Sequence, residues 1–139
     1  MSPRSRVLFV CTGNRARSQM AEGLLRELAG DRFEVYSAGT LPSGMSAYTI
    51  EAMRETGIDV SGQRSKSVDE FAGQTFDYVI TVCDAARQVC PVFPGEGEHL
   101  HWDIEDPSDI EARGLPLADA FREARDDLRK RIELFAKEH

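Results

Sequence analysis

At 139 residues, 41% hydrophobic and 29% charged, the chain is sized for one domain, residues 1–139, that buries a continuous core without staples. A net charge of −7 disfavours nucleic acid and anionic membrane as partners, and no apolar run approaches the roughly 18 residues of a membrane span. Three cysteines, an odd number, argue against a structural disulfide framework, and "VLFV" is too short for a signal-peptide core, so the sequence predicts a cytoplasmic protein.

Val7–Val10 is an apolar run of strand length that enters the polar stretch "CTGNRARS", Cys11 to Ser18. A helix is predicted over Ser18–Leu28, with Met20, Leu24, Leu25 and Leu28 on one face and Gly30 and Asp31 as its stop. Phe33–Ser37 reads as a second strand. A helix follows over Ser46–Glu55, with Ala47, Ile50 and Met53 on one face and its end at Gly57. A short helix is predicted near Ser67–Ala72, a third strand at Tyr78–Val82 and a weaker fourth at His99–Trp102. The segment "CPVFPGEGEH" between them is a Pro/Gly-rich loop. Leu117–Lys137 places Leu117, Phe121, Ala124, Leu128, Ile132 and Phe135 three or four apart, the pattern of an amphipathic helix.

Strands alternating with helices predict an α/β fold: an open parallel four-stranded sheet with helices on both faces. Ligands of such sheets bind beyond the carboxyl ends of the strands. Cys11, Ser37, Cys83 and Asp106 each end or follow a predicted strand, so the topology brings them to one edge.

The Cys11 loop is a strand-to-helix turn, which aims backbone N–H groups and the positive end of a helix dipole at whatever sits in it. Residues 1–21 hold Arg4, Arg6, Arg15 and Arg17 and no acid, which leaves the rest of the chain at −11. Arg4 and Arg6 read as ordinary solvated charges, but Arg15 and Arg17 lie inside the loop. A helix N-terminus beside arginine favours a thiolate at Cys11. The Cys-x5-Arg spacing lets Thr12, Gly13, Asn14, Arg15 and Ala16 wrap a tetrahedral oxyanion while the Arg17 guanidinium closes over it. Gly13 permits the tight turn, and Ser18 is placed to donate its hydroxyl to the sulfur. No Gly-Lys-Ser/Thr and no G-x-G-x-x-G accompanies the loop, so it is not a nucleotide site.

"CTGNRARSQMAEG", "YSAG" at 36–39, "ITVCDAARQVCP" at 80–91 and "HWDIEDPSD" at 101–109 together resemble the thioredoxin-coupled arsenate reductases, which share the low-molecular-weight protein tyrosine phosphatase fold. The resemblance spans nearly the whole chain. It implies that Cys11 is the nucleophile, Arg17 the oxyanion clamp, Asp106 the general acid, and Cys83 and Cys90 a redox relay that passes a disulfide outward. It implies arsenate as substrate, with phosphate or sulfate able to occupy the same loop, thioredoxin as reductant, and no cofactor. Were "CDAARQVC" helical, Cys83 and Cys90 would lie about 10 Å apart, beyond the roughly 7 Å reach of a disulfide, so the segment is expected to unwind on oxidation. Two departures stand out. Ala16 replaces a second loop cysteine found in many members. Some members bind a monovalent cation through an Asn, a Glu, a Ser and a later Asp; Asn14, Glu22 and Ser37 match, but Lys66 replaces the Asp. Lys66 is therefore expected to support the loop in place of a metal.

Two other readings compete with this one. A phosphatase acting on phosphomonoesters needs only Cys11, Arg17 and Asp106; it leaves Cys83 and Cys90 unused, and Ser108 stands after Pro107 where tyrosine-specific relatives usually carry an aromatic residue. A noncatalytic oxyanion- or arsenite-binding sensor would need a DNA-binding or partner surface, and the acidic net charge offers none for DNA. A metal site combining Cys83 and Cys90 with His99 and His101 is disfavoured, because six residues between cysteines is not a usual zinc spacing.

Overall fold

Four consecutive apolar residues make the centre of the sheet. Val7, Leu8, Phe9 and Val10 are fully buried in strand β1 (Ser5–Cys11), as expected of a parallel strand covered on both faces. In the computed structural model, which describes residues 4–82, 97–107 and 116–139, β1 pairs in parallel with β2 (Phe33–Gly39) on one side and β3 (Tyr78–Thr81) on the other. β4 (Glu98–His101) adds in parallel to β3, giving the order β2-β1-β3-β4. The register sets Phe9 beside Ser37 and Cys11 beside Gly39, so all four strands present their carboxyl ends on one edge.

Successive side chains alternate across the sheet. Val7, Phe9 and Cys11, with Phe33, Val35 and Ser37, face a layer of three helices: α1 (Arg17–Ala29), α2 (Ala47–Arg54) and α3 (Leu117–Glu138). α1 and α3 pack on each other, α2 packs against both, and Phe33 and Tyr78 meet Phe135 of α3 at ring separations of 5.5 and 5.1 Å. On the opposite face Tyr36 meets Phe71, the last residue of a 3-10 turn at Val68–Phe71, and Phe76, which follows it. Of the predicted α3 stripe, Phe121, Ala124, Leu128, Ile132 and Phe135 are buried and Leu117 is partly buried against the core.

Three expectations shift. Leu28, placed on the inner face of α1, is 51% exposed, while Ser18, Gln19 and Glu22 are buried. The first two turns of α1 are enclosed on every side, so polar residues there are internal and the apolar stripe reaches solvent only near the C-terminus. In α2 the buried residues are Thr49, Ala52 and Met53, and Ala47 is exposed. Met53 and the half-buried Ile50 of the predicted face do pack on the core, and Thr49 beside them donates its hydroxyl inward to the carbonyl of Arg15 (2.9 Å). The short helix near Ser67–Ala72 is one 3-10 turn, capped by the Ser67 hydroxyl accepting from Asp69 N (3.1 Å). Among the described residues no helix is long and apolar enough to cross a membrane. The predicted segment from Cys83 to Cys90 lies outside the described residues.

Candidate active site

The Cys11 loop is shaped by where its carbonyls go. Those of Cys11, Thr12 and Gly13 accept from Thr40 N (3.1 Å), Leu41 N (2.8 Å) and Ser43 N (2.9 Å), and that of Gly13 also accepts from the Ser65 hydroxyl (3.1 Å). Asn14 O accepts from Gln19 Nε2 (3.1 Å), and Arg15 O accepts from Ser46 N (3.2 Å) as well as Thr49. In a trans peptide the C=O and the following N–H point opposite ways. Carbonyls drawn outward therefore turn the N–H groups of residues 13–16 inward, making an anion nest at the start of α1. The N-cap of that helix, Ala16, has no capping side chain, and its first turn carries no acid, so an anion in the loop can serve as the cap. Two glycines make room: a Cβ on Gly13 would lie 2.8 Å from Ser43 Oγ, and one on Gly39 would lie 2.5 Å from Thr12 O.

Cys11 sits at the floor, 2% exposed, with Sγ 2.8 Å from Ser18 Oγ and 3.2 Å from Asn14 N. The direction of the first contact follows from its neighbours. Asn14 Oδ1 accepts from Gln19 Nε2 (2.9 Å) and Lys66 N (2.8 Å), which fixes the amide so that Nδ2 donates to Ser18 Oγ (2.8 Å) and Ser37 Oγ (3.0 Å). Ser18 Oγ, already accepting, turns its one proton to the sulfur, and Ser37 Oγ donates to Glu22 Oε1 at 2.5 Å. Two donors thus converge on Sγ. Asn14 holds φ at +44°, a left-handed conformation uncommon outside glycine, and its side-chain bonds lock it there.

An open cavity of about 350 Å³ rises from this floor, lined by Cys11, Thr12, Gly13, Arg15, Ala16, Arg17, Leu41, Ser43 and Asp106. Arg17 Nη1 donates to the carbonyl of Ile104 (3.0 Å), and Nη2 lies 3.9 Å from Asp106 Oδ2. The guanidinium therefore ties the Asp106 segment to the mouth of the loop. Of the expected site residues, Asn14, Ser18, Glu22, Ser37 and Lys66 form the layer behind the loop, and Arg15 and Asp106 stand at its rim. Cys83 and Cys90 lie outside the described residues. Sequence reasoning missed Gln19, whose amide bridges Asn14 O, Asn14 Oδ1 and Arg64 O (3.0 Å), and it missed Ser43, Ser46 and Thr49. A glutamine between a loop serine and a core methionine was the one available signal.

The cation that the resemblance implies for some members does not fit here. Asn14 Oδ1 and Ser37 Oγ are engaged by donors within the chain, Glu22 Oε2 is paired with Arg26 Nη2 at 2.6 Å, and the charge facing Glu22 Oε1 is the Lys66 ammonium at 3.7 Å. A third cation would be repelled.

Residues 6–138 match the family model described as low molecular weight phosphotyrosine protein phosphatase. An arsenate reductase of Halalkalibacterium halodurans is 42% identical over 131 residues, 94% of each chain. A solved structure described as an arsenate reductase in the phosphate binding state superposes with a TM-score of 0.81 at 35% identity, covering 96% of this chain and 98% of that one. A thioredoxin-dependent arsenate reductase of Corynebacterium glutamicum gives 0.64 at 33% identity, over 96% of this chain and 64% of its own. With a parallel sheet in the order 2-1-3-4, a Cys11 loop with Arg17 at its mouth and relatives of this kind along almost its whole length, the chain belongs to the low-molecular-weight phosphatase family and, within it, to the arsenate reductases.

Proposed function

We propose that this protein reduces arsenate to arsenite through three cysteines and is recycled by thioredoxin. The observation that carries the reading is Cys11 Sγ at the floor of an anion nest, with two donors on the sulfur and Arg17 and Asp106 above it. A tetrahedral oxyanion seated on the loop amides and the Arg17 guanidinium has its central atom over the sulfur and an outer oxygen toward Asp106. The Cys11 thiolate forms a bond to As(V), and the departing oxygen leaves as water with a proton from Asp106. Cys83 then attacks Cys11 Sγ: a disulfide forms, the S–As bond breaks, and its electron pair goes to arsenic, which leaves as arsenite, As(III). Cys90 attacks Cys83, Cys11 departs as thiolate, and the disulfide between Cys83 and Cys90 is reduced by the dithiol of thioredoxin. Two electrons enter from thioredoxin and two leave with arsenic.

The loop and Asp106 alone suffice for hydrolysis of a phosphomonoester, so weak phosphatase activity is expected beside the reduction. The cysteine series separates the two. Cys11→Ser abolishes both activities. Cys83→Ser stops arsenate reduction and spares hydrolysis of a small aryl phosphate. Cys90→Ser releases about one arsenite per enzyme and stalls with a disulfide between Cys11 and Cys83, visible by mass spectrometry. Repeated turnover of arsenate by both relay variants with thioredoxin would overturn the relay and leave the phosphatase.

A further inference from the structure

We infer that Lys66 is a built-in counter-cation: from behind the loop, its ammonium does what a bound monovalent ion would do, holding the Glu22–Ser37–Asn14 chain so that Ser18 stays aimed at Cys11. This rests on the Cys11 loop being an oxyanion site, but not on which oxyanion is transformed there.

Glu22 is 5% exposed, in the enclosed part of α1. A carboxylate in such a place needs charge and hydrogen bonds to offset its lost water. Arg26 Nη2 covers Oε2 at 2.6 Å, while Oε1 accepts the short Ser37 bond and faces Lys66 Nζ at 3.7 Å. Lys66 is fixed at three further points: its N–H donates to Asn14 Oδ1 (2.8 Å), its carbonyl accepts from Gly39 N (2.7 Å), and Nζ donates to the carbonyl of Arg64 (2.9 Å). One residue thus grips the Asn14 amide from both ends, directly at Oδ1 and through Glu22 and Ser37 at Nδ2. Its side chain is only 12% exposed, and burial pushes the ammonium below the usual lysine value while Glu22 raises it. An ordinary surface lysine would keep its head in water. An ammonium is close to a potassium ion in charge and size, and this one is tethered by its own backbone, so it is not lost by dilution. The consequence is a site whose nucleophile is prepared without an exchangeable ion.

Lys66 touches no substrate and acts through Asn14 and Ser18, so it is a positioning residue. Inorganic phosphate is the probe, titrated by calorimetry at equal ionic strength in potassium chloride and in tetramethylammonium chloride, whose cation is too large for the space. The wild-type protein binds phosphate equally in both salts. Lys66→Asp, which turns a second carboxylate toward Glu22, loses roughly 10- to 100-fold in tetramethylammonium, the scale of a misplaced site, and recovers most of it in potassium. Lys66→Ala, which only vacates the position, is the second variant in case the carboxylate pair unfolds the loop, and it shows the same loss and recovery. Potassium dependence in the wild type, or variants that keep their affinity in tetramethylammonium, or variants that lose it equally in both salts, would each overturn the inference. Arsenite is assayed in parallel with thioredoxin. A wild-type protein that makes none, while phosphate binding follows the expected pattern, sinks the reductase reading and leaves the Lys66 assignment standing.

Discussion

The floor and the rim of the Cys11 loop are built on opposite terms. At the floor Asn14, Ser18 and Ser37 are wholly buried, and each polar atom has a directed partner, so the hydrogen-bond chain from Glu22 to Cys11 has one arrangement. At the rim Asp106 is half exposed and 3.9 Å from Arg17, Arg15 is exposed, and Leu41 is 73% exposed. Preparing a nucleophile calls for donors already in place in a site shielded from water, because reorganising them during attack would add to the barrier. Admitting an anion and exchanging a proton with solvent call for the reverse. On the function proposed above, one loop serves both by facing the core with one side and solvent with the other.

The sharpest test of this division is Asp106→Asn. A rim residue that supplies a proton but does little binding should cost about 10² to 10⁴ in turnover and leave phosphate affinity near the wild-type value. Steady-state rates beside a phosphate titration check it, and an unchanged turnover would take Asp106 out of the chemistry.

Ser18→Ala probes the floor. It removes the hydroxyl on Cys11 Sγ and deprives the buried Asn14 Nδ2 of an acceptor. Loss of a hydrogen bond to a charged group is worth about 1.5–3 kcal/mol, which corresponds to roughly 10- to 100-fold in the rate of attack. Single-turnover rates with arsenate and with an aryl phosphate should fall together. If melting temperature drops and neither rate does, the floor is scaffold and the contrast with the rim is misdrawn.

Arg15→Gln should act more gently. An exposed guanidinium at the mouth of a chain carrying −7 draws anions mainly at low salt. kcat/KM is expected to fall about fivefold at low ionic strength and to approach wild type at high salt, with the slope against ionic strength as the readout.

The smallest effect concerns α2, which anchors the rim by holding the Arg15 carbonyl with Ser46 and Thr49. Beyond its C-terminus Glu55 joins α3 through Arg122 and Arg125, whose hydrogen bonds lower its carboxyl from 4.5 to about 2. A depressed carboxyl stabilises the fold above its unfolded value and loses that contribution as pH falls through the folded one. Melting temperature should therefore decline between about pH 4.5 and 2, and the part of the decline due to Glu55 should be absent in Glu55→Gln.

Hydrophobic pattern alone carried the sheet and α3 because both are read from one face or one run: Val7–Val10 is apolar throughout, and the α3 stripe has a single inner side. It misplaced Leu28 and Ala47 and passed over Thr49, because α1 is enclosed by several neighbours at its start and α2 buries a hydroxyl that bonds a loop carbonyl. Periodicity counts apolar side chains and is blind to a helix held in place by polar ones.

By itself, then, the sequence determined the parallel α/β architecture and the loop from Cys11 to Ser18, since local spacing decides which backbone amides and which arginine can surround an anion. Only the tertiary structure decided which way the protons point. Asn14 meets Ser37 across 23 positions and Lys66 across 52, and no local pattern encodes a bond between residues that distant. The orientation of the Ser18 hydroxyl toward Cys11 follows from strands and loops brought to one edge of the sheet by burial of the core.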